Sequence, residues 1–267
     1  MNKEFIADLF SLSGKVAIVT GGAGRLGFQH IDALHKAGAT VVSFDVTKND
    51  ALDGIAEQHV VDITNPAEVK RIVDEVAKKN GGIDILINNA ALNPKASSTD
   101  PEQLKFFAPY ESYPAELWKR EIDVGLSGAQ FCIQAVAPYM MKKKEGSIIN
   151  IASTSSITAP QHAKYEEGKY KSAAYPTVKT ALLGLTRAWA SYFAATAPGI
   201  RVNSVSFGGV NFGSNDPERI AKLGHRNMFG RPAVPSEYQG VVIFLASNAS
   251  SFVNASNLVA DAGQTSW

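Results

Sequence analysis

Residues 20–27 read T-G-G-A-G-R-L-G and join a short apolar run at 15–20 to a segment of helical spacing at 25–37. Glycines in such a turn let the backbone bend tightly and approach a pyrophosphate closely. The helix that follows would present free N–H groups and the positive end of its dipole to the phosphates. Glycine turns are common, but a position between a strand and a helix favours a dinucleotide-binding turn. The cofactor contacts expected here are Gly21, Gly24, Arg25, Leu26 and Gly27.

Outward from this turn, β-rich and helical segments alternate along all 267 residues. The apolar runs are short and continuous, as in strands buried on both faces of a parallel sheet. The predicted strands are 15–20, 40–45, 59–62, 83–88, 147–151, 200–205 and 257–261, and the predicted helices are 25–37, 66–80, 114–141, 175–195 and 236–246. Because crossovers between parallel strands are right-handed, this alternation predicts an α/β protein, a Rossmann-type doubly wound parallel sheet in a single domain over 1–267. A ligand is expected at the carboxyl ends of the strands, near the switch point.

The composition, 45% hydrophobic and 19% charged residues, fits a soluble globular protein with one large core. A formal net charge of +1 does not indicate a nucleic-acid or membrane surface. The lone cysteine, Cys132, excludes an internal disulfide, and the five histidines lack metal-ligand spacing, so no metal is expected. No apolar run has membrane-spanning length, and Glu4 and Asp8 do not fit a secretory signal. We therefore expect a cytoplasmic protein.

An acid, Asp45, ends the second predicted strand and lies 18 residues after Gly27. This spacing is close to that of the acid that binds the adenosine ribose in dinucleotide-binding folds. A carboxylate there accepts hydrogen bonds from the ribose hydroxyls and repels a 2′-phosphate, so we predict NAD rather than NADP as the cofactor. A solvated acid at a strand end is the alternative, and the position of Asp45 makes it the weaker interpretation.

Six further motifs follow the glycine turn along the chain. They are D-I-T at 62–64, N-N-A-A at 88–91, I-N-I-A-S at 149–153, Y-P-T-V-K at 175–179, R-V-N-S-V at 201–205 and L-V-A-D-A-G at 258–263. Each motif alone is weak, whereas the whole set in this order is highly specific. With the glycine turn, the set resembles the short-chain dehydrogenase/reductase family, in its shorter, single-domain branch, over nearly the whole chain.

This resemblance implies an oxidoreductase that moves a hydride between a nicotinamide cofactor and an alcohol or ketone carbon. Ser153, Tyr175 and Lys179 match the family's catalytic residues. The resemblance also implies that Lys179 holds the nicotinamide ribose. The other cofactor contacts that it implies are Asp62, Ile63, Asn89, Ala90, Ala91, Tyr175, Gly208 and Val210.

The chemistry of these residue types agrees with the resemblance. Tyr175 and Lys179 are four positions apart, so they share one face of a helix. A free tyrosine titrates at a pKa of about 10, and a nearby ammonium favours the phenolate and lowers the pKa. Tyr175 would then act as general acid or base closer to neutral pH, while Ser153 donates a hydrogen bond to the substrate oxygen. For this spacing taken alone, a surface tyrosine and lysine on an ordinary helix would be the better interpretation.

A second Y-x-x-x-K sequence, at 165–169, competes with the first. Its distance from Ser153 is closer to that in the family, but Gly168 and the surrounding charges indicate a polar loop. Neighbouring acids would also raise the pKa of the Tyr165 phenol. A long helical run follows Tyr175, as it follows the active tyrosine of the family. We therefore assign the catalytic role to Tyr175.

Three positions depart from the family pattern. Arg25 replaces a glycine, which makes the turn more like that of the longer, nucleotide-sugar-modifying members. Phe207 replaces a proline in the loop whose Val210 would contact the nicotinamide carboxamide. Gly125 replaces an asparagine that holds a water of the proton relay behind the lysine. We expect a water held by backbone groups near Gly125 to complete the relay, with no apolar side chain in the gap.

Three polar segments, 91–113, 154–171 and 211–229, are the expected substrate loops. Their polarity favours a sugar, polyol or other small hydroxylated substrate, and the segments around 168–175 and 261–267 resemble sugar- and polyol-oxidising members. Two alternatives remain open: a dehydrogenase or ketoreductase for a less polar alcohol, and a non-catalytic NAD-binding sensor or scaffold, which Gly125 suggests. The expected substrate contacts are Ser153, His162, Tyr175 and Asn211.

The resemblance also implies a homotetramer, paired through the helices that contain 115–141 and 175–195. Both helices have more apolar positions than one core-facing stripe requires. Examples are Leu182, Leu183, Leu185, Trp189, Tyr192 and Phe193. We therefore expect a homo-oligomer that binds a small-molecule substrate and has no nucleic-acid or membrane partner.

Overall fold

Seven parallel strands form one sheet in the computed structural model, which describes residues 3–94 and 98–266. The strands are β1 Val16–Thr20, β2 Thr40–Asp45, β3 Glu57–Val60, β4 Ile85–Asn88, β5 Gly146–Ser153, β6 Ile200–Phe207 and β7 Asn257–Ala260. Their order is β3-β2-β1-β4-β5-β6-β7, so the direction of winding reverses between β1 and β4. The predicted Rossmann-type α/β fold is confirmed. Residues 95–97 of the predicted loop 91–113, and residues 1–2 and 267 of the predicted domain, lie outside the described residues.

Helices cover both faces of the sheet, as right-handed crossovers require. They are α1 Lys3–Phe10, α2 Arg25–Lys36, α3 Pro66–Asn80, α4 Pro101–Leu104, α5 Ala115–Ile122, α6 Gly128–Lys143, α7 Ala174–Thr196, α8 Pro217–Gly224 and α9 Gln239–Ala246. One core contains Val69 of α3, Val136 of α6 and Phe193 of α7. The second core contains Leu34 of α2 and Val242 of α9. Each such side chain contributes roughly 1.5–3 kcal/mol by leaving water.

The bounds of α3 follow from local sequence. The Asn65 side chain caps the helix by accepting hydrogen bonds from the first N–H groups, and Pro66 occupies the first turn, where no N–H partner is needed. Gly81 ends the helix in the left-handed conformation, with φ at 80°. The predicted helix 66–80 therefore has the bounds that the structure shows.

The bounds of several predicted elements differ from the structure, and three of these differences concern β3, the pair α5 and α6, and α9. The strand expected at 59–62 begins two residues earlier, because β3 is an edge strand whose pairing with β2 runs from Glu57 to Val60. The long helix expected at 114–141 consists of α5 and α6, joined by a π-helical turn at Asp123–Ser127. The helix expected at 236–246 begins with a 3-10 turn at Pro235–Tyr238 before α9.

Some of the predicted loops contain helical structure. Segment 91–113 holds α4, and segment 211–229 holds α8. Helix α1 lies in a part of the chain for which no element was predicted. Within 91–113, the buried side chains of Phe106 and Phe107 form a small apolar cluster with Leu117 of α5. This cluster anchors a polar segment whose composition alone indicates a loop.

His30 of α2 gives the stability of this fold a dependence on pH. It is fully buried beside Phe207 of β6, with ring centroids 5.9 Å apart. Burial lowers the pKa of His30 from 6.5 to about 4, against a smaller opposing effect of Asn89. In the unfolded chain the His30 imidazole therefore binds a proton below pH 6.5, whereas in the native protein it binds one only near pH 4. We expect the free energy of unfolding to fall by about 2 kcal/mol from about pH 7 to about pH 5 because of His30.

Urea unfolding of the wild type and of His30→Asn at both pH values measures this effect. The variant should show a smaller loss between the two pH values, whatever its stability at neutral pH. If both proteins lose the same free energy of unfolding on acidification, His30 is not the buried neutral group that we describe.

Candidate active site

The carboxyl ends of the strands open into a cavity of about 1440 Å³. Asp45 at the end of β2, Ser153 at the end of β5 and Phe207 at the end of β6 all line it. The glycine turn after β1 forms another part of the wall, as do residues of segments 154–171 and 211–229. The cavity therefore occupies the place where the fold predicts a ligand.

Close backbone contacts require two of the glycines in the turn. Gly21 has a φ of +64°, and a Cβ atom there would lie 2.8 Å from the Cα of Ala90. A Cβ at Gly27 would lie 2.0 Å from the carbonyl oxygen of Gly21. Any side chain at either position would push the turn away from β4 or from the start of α2. The turn is thus packed tightly on both sides.

The N-terminus of α2 is suited to bind phosphates. Gly24, its N-cap residue, has no side chain to accept hydrogen bonds from the first N–H groups of the helix. These donors and the positive end of the helix dipole fit the pyrophosphate of a dinucleotide. The guanidinium of Arg25 lies 5.2 Å from the centre of the Phe212 ring, so Arg25 links the turn to segment 211–229. All the predicted contacts of this turn line the cavity: Gly21, Gly24, Arg25, Leu26 and Gly27.

Asp45 connects the end of β2 to the glycine turn. Its carboxylate accepts hydrogen bonds from the backbone N–H of Ala23 at 3.0 Å and of Thr47 at 3.3 Å. Asp45 remains partly exposed at the cavity wall. Because each carboxylate oxygen has two acceptor positions, Asp45 can still accept hydrogen bonds from ribose hydroxyls.

The segment after β4 holds the turn in place. Backbone N–H groups of Asn89 and Ala90 donate to the Thr20 hydroxyl oxygen at 3.0 and 3.1 Å. The Asn89 side chain donates to the carbonyl oxygen of Thr20 at 2.9 Å. Asn89, Ala90 and Ala91 line the cavity, so the structure brings these implied cofactor contacts to the glycine turn.

Asp62 and Ile63, which follow β3, line the same cavity. The exposed Asp62 carboxylate accepts hydrogen bonds from the N–H and the hydroxyl of Thr64, at 2.9 and 2.8 Å. Ile63 is buried against Gly128 at the start of α6, where an added Cβ would lie 2.7 Å from its side chain. Both implied cofactor contacts therefore lie at the cavity wall.

The three predicted catalytic side chains meet at this wall. Ser153 ends β5, and Tyr175 and Lys179 lie one turn apart on α7. Ser153 accepts a hydrogen bond from the Ser155 N–H at 3.2 Å and is a hydrogen-bond partner of Tyr175. Lys179 Nζ donates to the carbonyl oxygen of Ile151 at 2.6 Å and lies 5.8 Å from the centre of the Tyr175 ring. This arrangement can hold a substrate oxygen and exchange a proton with it.

The expectation that an ammonium lowers the pKa of Tyr175 is wrong. Burial raises the pKa of Tyr175, and hydrogen bonding with Ser153 opposes this effect only in part. Burial and, to a smaller extent, the charge of Lys171 together lower the pKa of Lys179 to about 8. At neutral pH Tyr175 is therefore a protonated phenol, which is the form that can donate a proton to a carbonyl oxygen.

The competing tyrosine, Tyr165, lies in a different environment. Its ring packs against Phe107, with centroids 5.8 Å apart, and burial raises its pKa to about 12. Lys169, the lysine of the second Y-x-x-x-K sequence, forms an ion pair with Glu166 at 2.7 Å. Tyr165 follows a 3-10 turn and does not share a helix face with Lys169. The geometry therefore favours Tyr175.

The space beside Gly125 is filled by Val178. Gly125 lies in the π-helical turn Asp123–Ser127, and a Cβ atom there would lie 2.6 Å from Cγ1 of Val178. The expectation of a water in this gap, with no apolar side chain, is therefore wrong. Lys179, the next residue after Val178, directs its amine to the carbonyl oxygen of Ile151 instead.

Adding a methyl group at Gly125 should destabilise the protein. Gly125→Ala gains up to about 1 kcal/mol of helix propensity but overpacks the core against Val178, which typically costs about 1–3 kcal/mol. Urea unfolding of Gly125→Ala, Val178→Ala and the double variant measures the coupling between the two positions. In the Val178→Ala background the added methyl should cost nothing. An equal cost in both backgrounds would contradict the contact.

The loop after β6 reaches the cavity although Phe207 replaces the expected proline. The Phe207 ring stacks on Tyr238, with centroids 4.1 Å apart, and is buried. The Gly208 N–H donates to the Ala260 carbonyl oxygen at 3.0 Å, which continues the pairing of β6 with β7. Gly208 and Val210 both line the cavity, where the resemblance places them.

Two predicted substrate contacts are not at the cavity wall that the described residues form. His162 lies against Tyr110 and Tyr170, with ring centroids 5.4 and 5.6 Å away. The Asn211 amide donates to the carbonyl oxygen of Ser214 at 2.9 Å and accepts from its N–H at 2.8 Å. His162 therefore belongs to an aromatic cluster and Asn211 closes a turn. Of the four predicted substrate contacts, Ser153 and Tyr175 line the cavity.

Two charged residues that no sequence motif indicated, Lys171 and Glu121, lie near Tyr175. Lys171 borders the cavity, and its Nζ lies 3.7 Å from the centre of the Tyr175 ring. Glu121 on α5 is buried, and burial raises its pKa. The charges around Lys171 indicated only a solvated loop, and Glu121 follows Lys119 and Arg120 in a helix whose charged residues are mostly exposed. No local pattern distinguishes these two from solvated charges.

Comparisons with known proteins find a matching family profile, similar sequences and similar structures. A family profile described as enoyl-(acyl carrier protein) reductase matches residues 21–265. The chain is 32% identical to sorbose reductase SOU1 of Candida albicans, over 97% of this chain and 90% of that protein. A gluconate 5-dehydrogenase from Burkholderia cenocepacia, solved with NADP and tartrate, is similar with a TM-score of 0.83 and 30% identity, covering 98% of this chain and 99% of that one. A short chain dehydrogenase from Leptospira borgpetersenii with bound NAD+ has a TM-score of 0.83 and 27% identity, covering 97% and 95%.

Proposed function

Because the chain belongs to the short-chain dehydrogenase/reductase family, we propose that it is an NAD-dependent dehydrogenase of a sugar, polyol or other small hydroxylated molecule. One observation carries the proposal. Ser153, Tyr175 and Lys179 line the same cavity as the glycine turn at the start of α2. A substrate oxygen held by these three side chains and a dinucleotide held by the glycine turn would lie in one cavity.

Tyr175 is the proposed proton-transfer residue. In reduction its protonated phenol gives a proton to the ketone oxygen, and in oxidation its phenolate takes the alcohol proton. Ser153 accepts from the Ser155 N–H and is the hydrogen-bond partner of Tyr175, so a substrate oxygen placed between the two hydroxyls can accept from the Ser153 O–H. The hydrogen bond from Lys179 to the Ile151 carbonyl oxygen connects α7 to β5 and so fixes the position of Tyr175 relative to β5. A bound nicotinamide cofactor supplies or accepts the hydride.

We assign NAD rather than NADP on the basis of Asp45. Its carboxylate is held at the end of β2 by the Ala23 and Thr47 N–H groups and remains accessible from the cavity. A fixed negative charge there attracts ribose hydroxyls and repels a 2′-phosphate. The two similar structures reported above contain one cofactor each, NADP in the first and NAD+ in the second, so the assignment depends on Asp45 itself.

Polar groups on the cavity wall support a hydroxylated substrate. Asn93, Gln161 and Thr158 line the cavity and offer both donors and acceptors. By their names, the similar sorbose reductase and gluconate 5-dehydrogenase act on a sugar and a sugar acid. Phe107 and Phe212 also line the cavity, and they favour the second candidate, a dehydrogenase of a less polar alcohol.

A panel of alcohols separates these candidates. Initial rates of NAD and NADP reduction are measured with sugars, polyols, sugar acids, aromatic alcohols and a hydroxysteroid. We expect the highest kcat/KM with NAD and a small polyhydroxylated compound. Turnover restricted to the aromatic alcohols or the steroid would overturn the proposed substrate class in favour of the less polar alternative.

A third candidate binds NAD without turnover. Two observations favour it: Val178 fills the space of the expected relay water, and burial raises the pKa of Tyr175. Calorimetric titration with NAD, combined with the panel, tests this candidate. NAD binding with no turnover of any alcohol would support a sensor or scaffold.

We also propose a homotetramer. Leu182 and Phe193 are buried in the core, so they do not form part of a helix-pairing surface. Leu183, Leu185 and Trp189 are only half-buried, and Tyr192 is 50% exposed. This partly exposed apolar strip on α7 is suited to pair with a second copy. Light scattering at micromolar protein should give the tetramer mass, and a monomer mass would contradict the proposal.

The proposed location is the cytoplasm, with neither nucleic acid nor membrane as a partner. Over residues 3–94 and 98–266, no helix combines the length and the apolar character that crossing a bilayer requires. Fractionation of the source cells, followed by detection of the protein in the soluble fraction, tests this proposal.

A further inference from the structure

We propose that Lys171 binds an anionic group of the substrate, a carboxylate or a phosphate, so that the enzyme prefers hydroxylated anions to neutral sugars and polyols. This inference deepens the proposed function and rests on it. Lys171 precedes α7 and borders the cavity, and only 9% of its surface is exposed. A lysine in such a position has lost most of its hydration, and a ligand anion can replace the lost water.

The protein compensates the Lys171 charge only weakly. Its Nζ donates to the Asn93 side-chain oxygen at 2.6 Å and lies 3.7 Å from the centre of the Tyr175 ring. Both partners are electrically neutral, and within the described parts of the chain no carboxylate oxygen lies within 4.0 Å of this nitrogen. An ammonium has three N–H donors, so further donors remain for a ligand.

Glu121 acts on Lys171 from a distance. Its charge raises the pKa of Lys171, but the larger effect of burial lowers that pKa to about 8. The Glu121 carboxylate accepts hydrogen bonds from the Tyr113 hydroxyl at 2.5 Å and the Ser172 hydroxyl at 2.9 Å, one on each oxygen. Lys179 is a second buried cation beside Tyr175. Two buried lysines, Lys171 and Lys179, and one buried acid, Glu121, thus lie near Tyr175. An anion bound beside Lys171 would offset the positive charge that Glu121 does not neutralise.

Other lysines at the cavity differ from Lys171. Lys119 and Lys222 have exposed side chains and are paired with Asp123 and Glu218. Such exposed pairs are screened by water and contribute little to ligand selection. Lys171 combines burial, a position at the cavity wall and the lack of an acid partner within ion-pair distance among the described residues. A charge at this place interacts more strongly with an anion, because the local dielectric constant is lower.

The experiment uses three compounds with the same polyhydroxylated chain and different ends: D-glucitol, D-gluconate and D-glucitol 6-phosphate. Values of kcat/KM with NAD are measured for the wild type, Lys171→Met and Lys171→Arg. Lys222→Met serves as the matched control, because it removes an exposed, paired lysine from the same cavity. Thermal unfolding of each variant shows that it is folded.

We expect the wild type to prefer one of the two anions over D-glucitol by roughly tenfold or more, since a hydrogen bond to a charged group is at stake. Lys171→Met should lose roughly 10–100-fold on that anion and little on D-glucitol, and Lys171→Arg should recover part of the loss. Lys222→Met should keep the preference. The favoured anion identifies the group as a carboxylate or a phosphate. An equal loss on all three compounds, or no preference in the wild type, overturns the proposal.

Calorimetry separates this proposal from the proposed function. Malonate and inorganic phosphate are titrated into the protein in saturating NAD, which covers the phosphate-binding turn. Binding of either anion that disappears in Lys171→Met supports the Lys171 site even if none of the three compounds is oxidised. Absence of binding, or binding that Lys171→Met leaves unchanged, overturns the site whatever the enzyme oxidises.

Discussion

Replacing Tyr175 with phenylalanine should lower kcat by roughly 10²–10⁴-fold, the contribution of a positioned general acid or base. Phenylalanine keeps the ring, which lies 3.7 Å from the Lys171 amine, and loses the hydroxyl that partners Ser153. NAD affinity should change little, because most of the proposed contacts to the dinucleotide come from the glycine turn and Asp45. Initial rates at saturating substrate, together with calorimetric titration of NAD, separate the two effects.

Tyr165→Phe is the matched control for this prediction. Tyr165 also borders the cavity, and its ring packs against Phe107. The variant should retain most of the activity, because the Tyr165 hydroxyl has no assigned role in proton transfer. Loss of activity in Tyr165→Phe, with activity retained in Tyr175→Phe, would reverse the assignment.

Replacing Asp45 with asparagine should lower the ratio of kcat/KM for NAD to kcat/KM for NADP by roughly 10–100-fold. The substitution removes the charge that repels a 2′-phosphate and weakens the hydrogen bonds to ribose hydroxyls. The asparagine oxygen can still accept from the Ala23 N–H, at 3.0 Å in the wild type, so the glycine turn should keep its conformation. Steady-state rates with each cofactor, at a fixed saturating concentration of substrate, give both values.

Asp53→Asn serves as the control for cofactor preference. Asp53 is an exposed acid that accepts a hydrogen bond from Gln58 at 3.0 Å. Its loss changes the net charge by the same amount as Asp45→Asn and should leave the cofactor ratio unchanged. A wild type that uses NAD and NADP equally well, or an Asp45→Asn variant with an unaltered ratio, would be incompatible with the assignment of NAD.

The sequence predicted the sheet well, because the signals for its strands are local. All five residues of β1 are buried, and the first four, at 16–19, form a continuous apolar run. The bounds of α3 follow from Asn65, Pro66 and Gly81, which cap the helix through their own side chains or backbone conformations. The place of the cavity also followed from strand order, since ligands of such sheets lie at the carboxyl ends of the strands.

The environment of the site could not be predicted in the same way, because it depends on contacts between distant parts of the chain. Lys171 and Asn93, which share a hydrogen bond, are 78 positions apart. The contact of Val178 with Gly125 depends on how α7 packs against the π-helical turn. Asn211 is a polar residue in a polar loop, and its sequence position does not reveal that its amide closes a turn on Ser214.

Transfer of deuterium from the substrate to NAD tests the central claim most directly. The wild type and Tyr175→Phe are incubated with NAD and the best compound of the panel, deuterated at the carbon that is oxidised. Mass spectrometry of the reduced cofactor then measures its deuterium content. We expect the wild type to form deuterated reduced NAD and Tyr175→Phe to form almost none. Reduced NAD without deuterium, or equal formation by both proteins, would contradict hydride transfer from the alcohol carbon assisted by Tyr175.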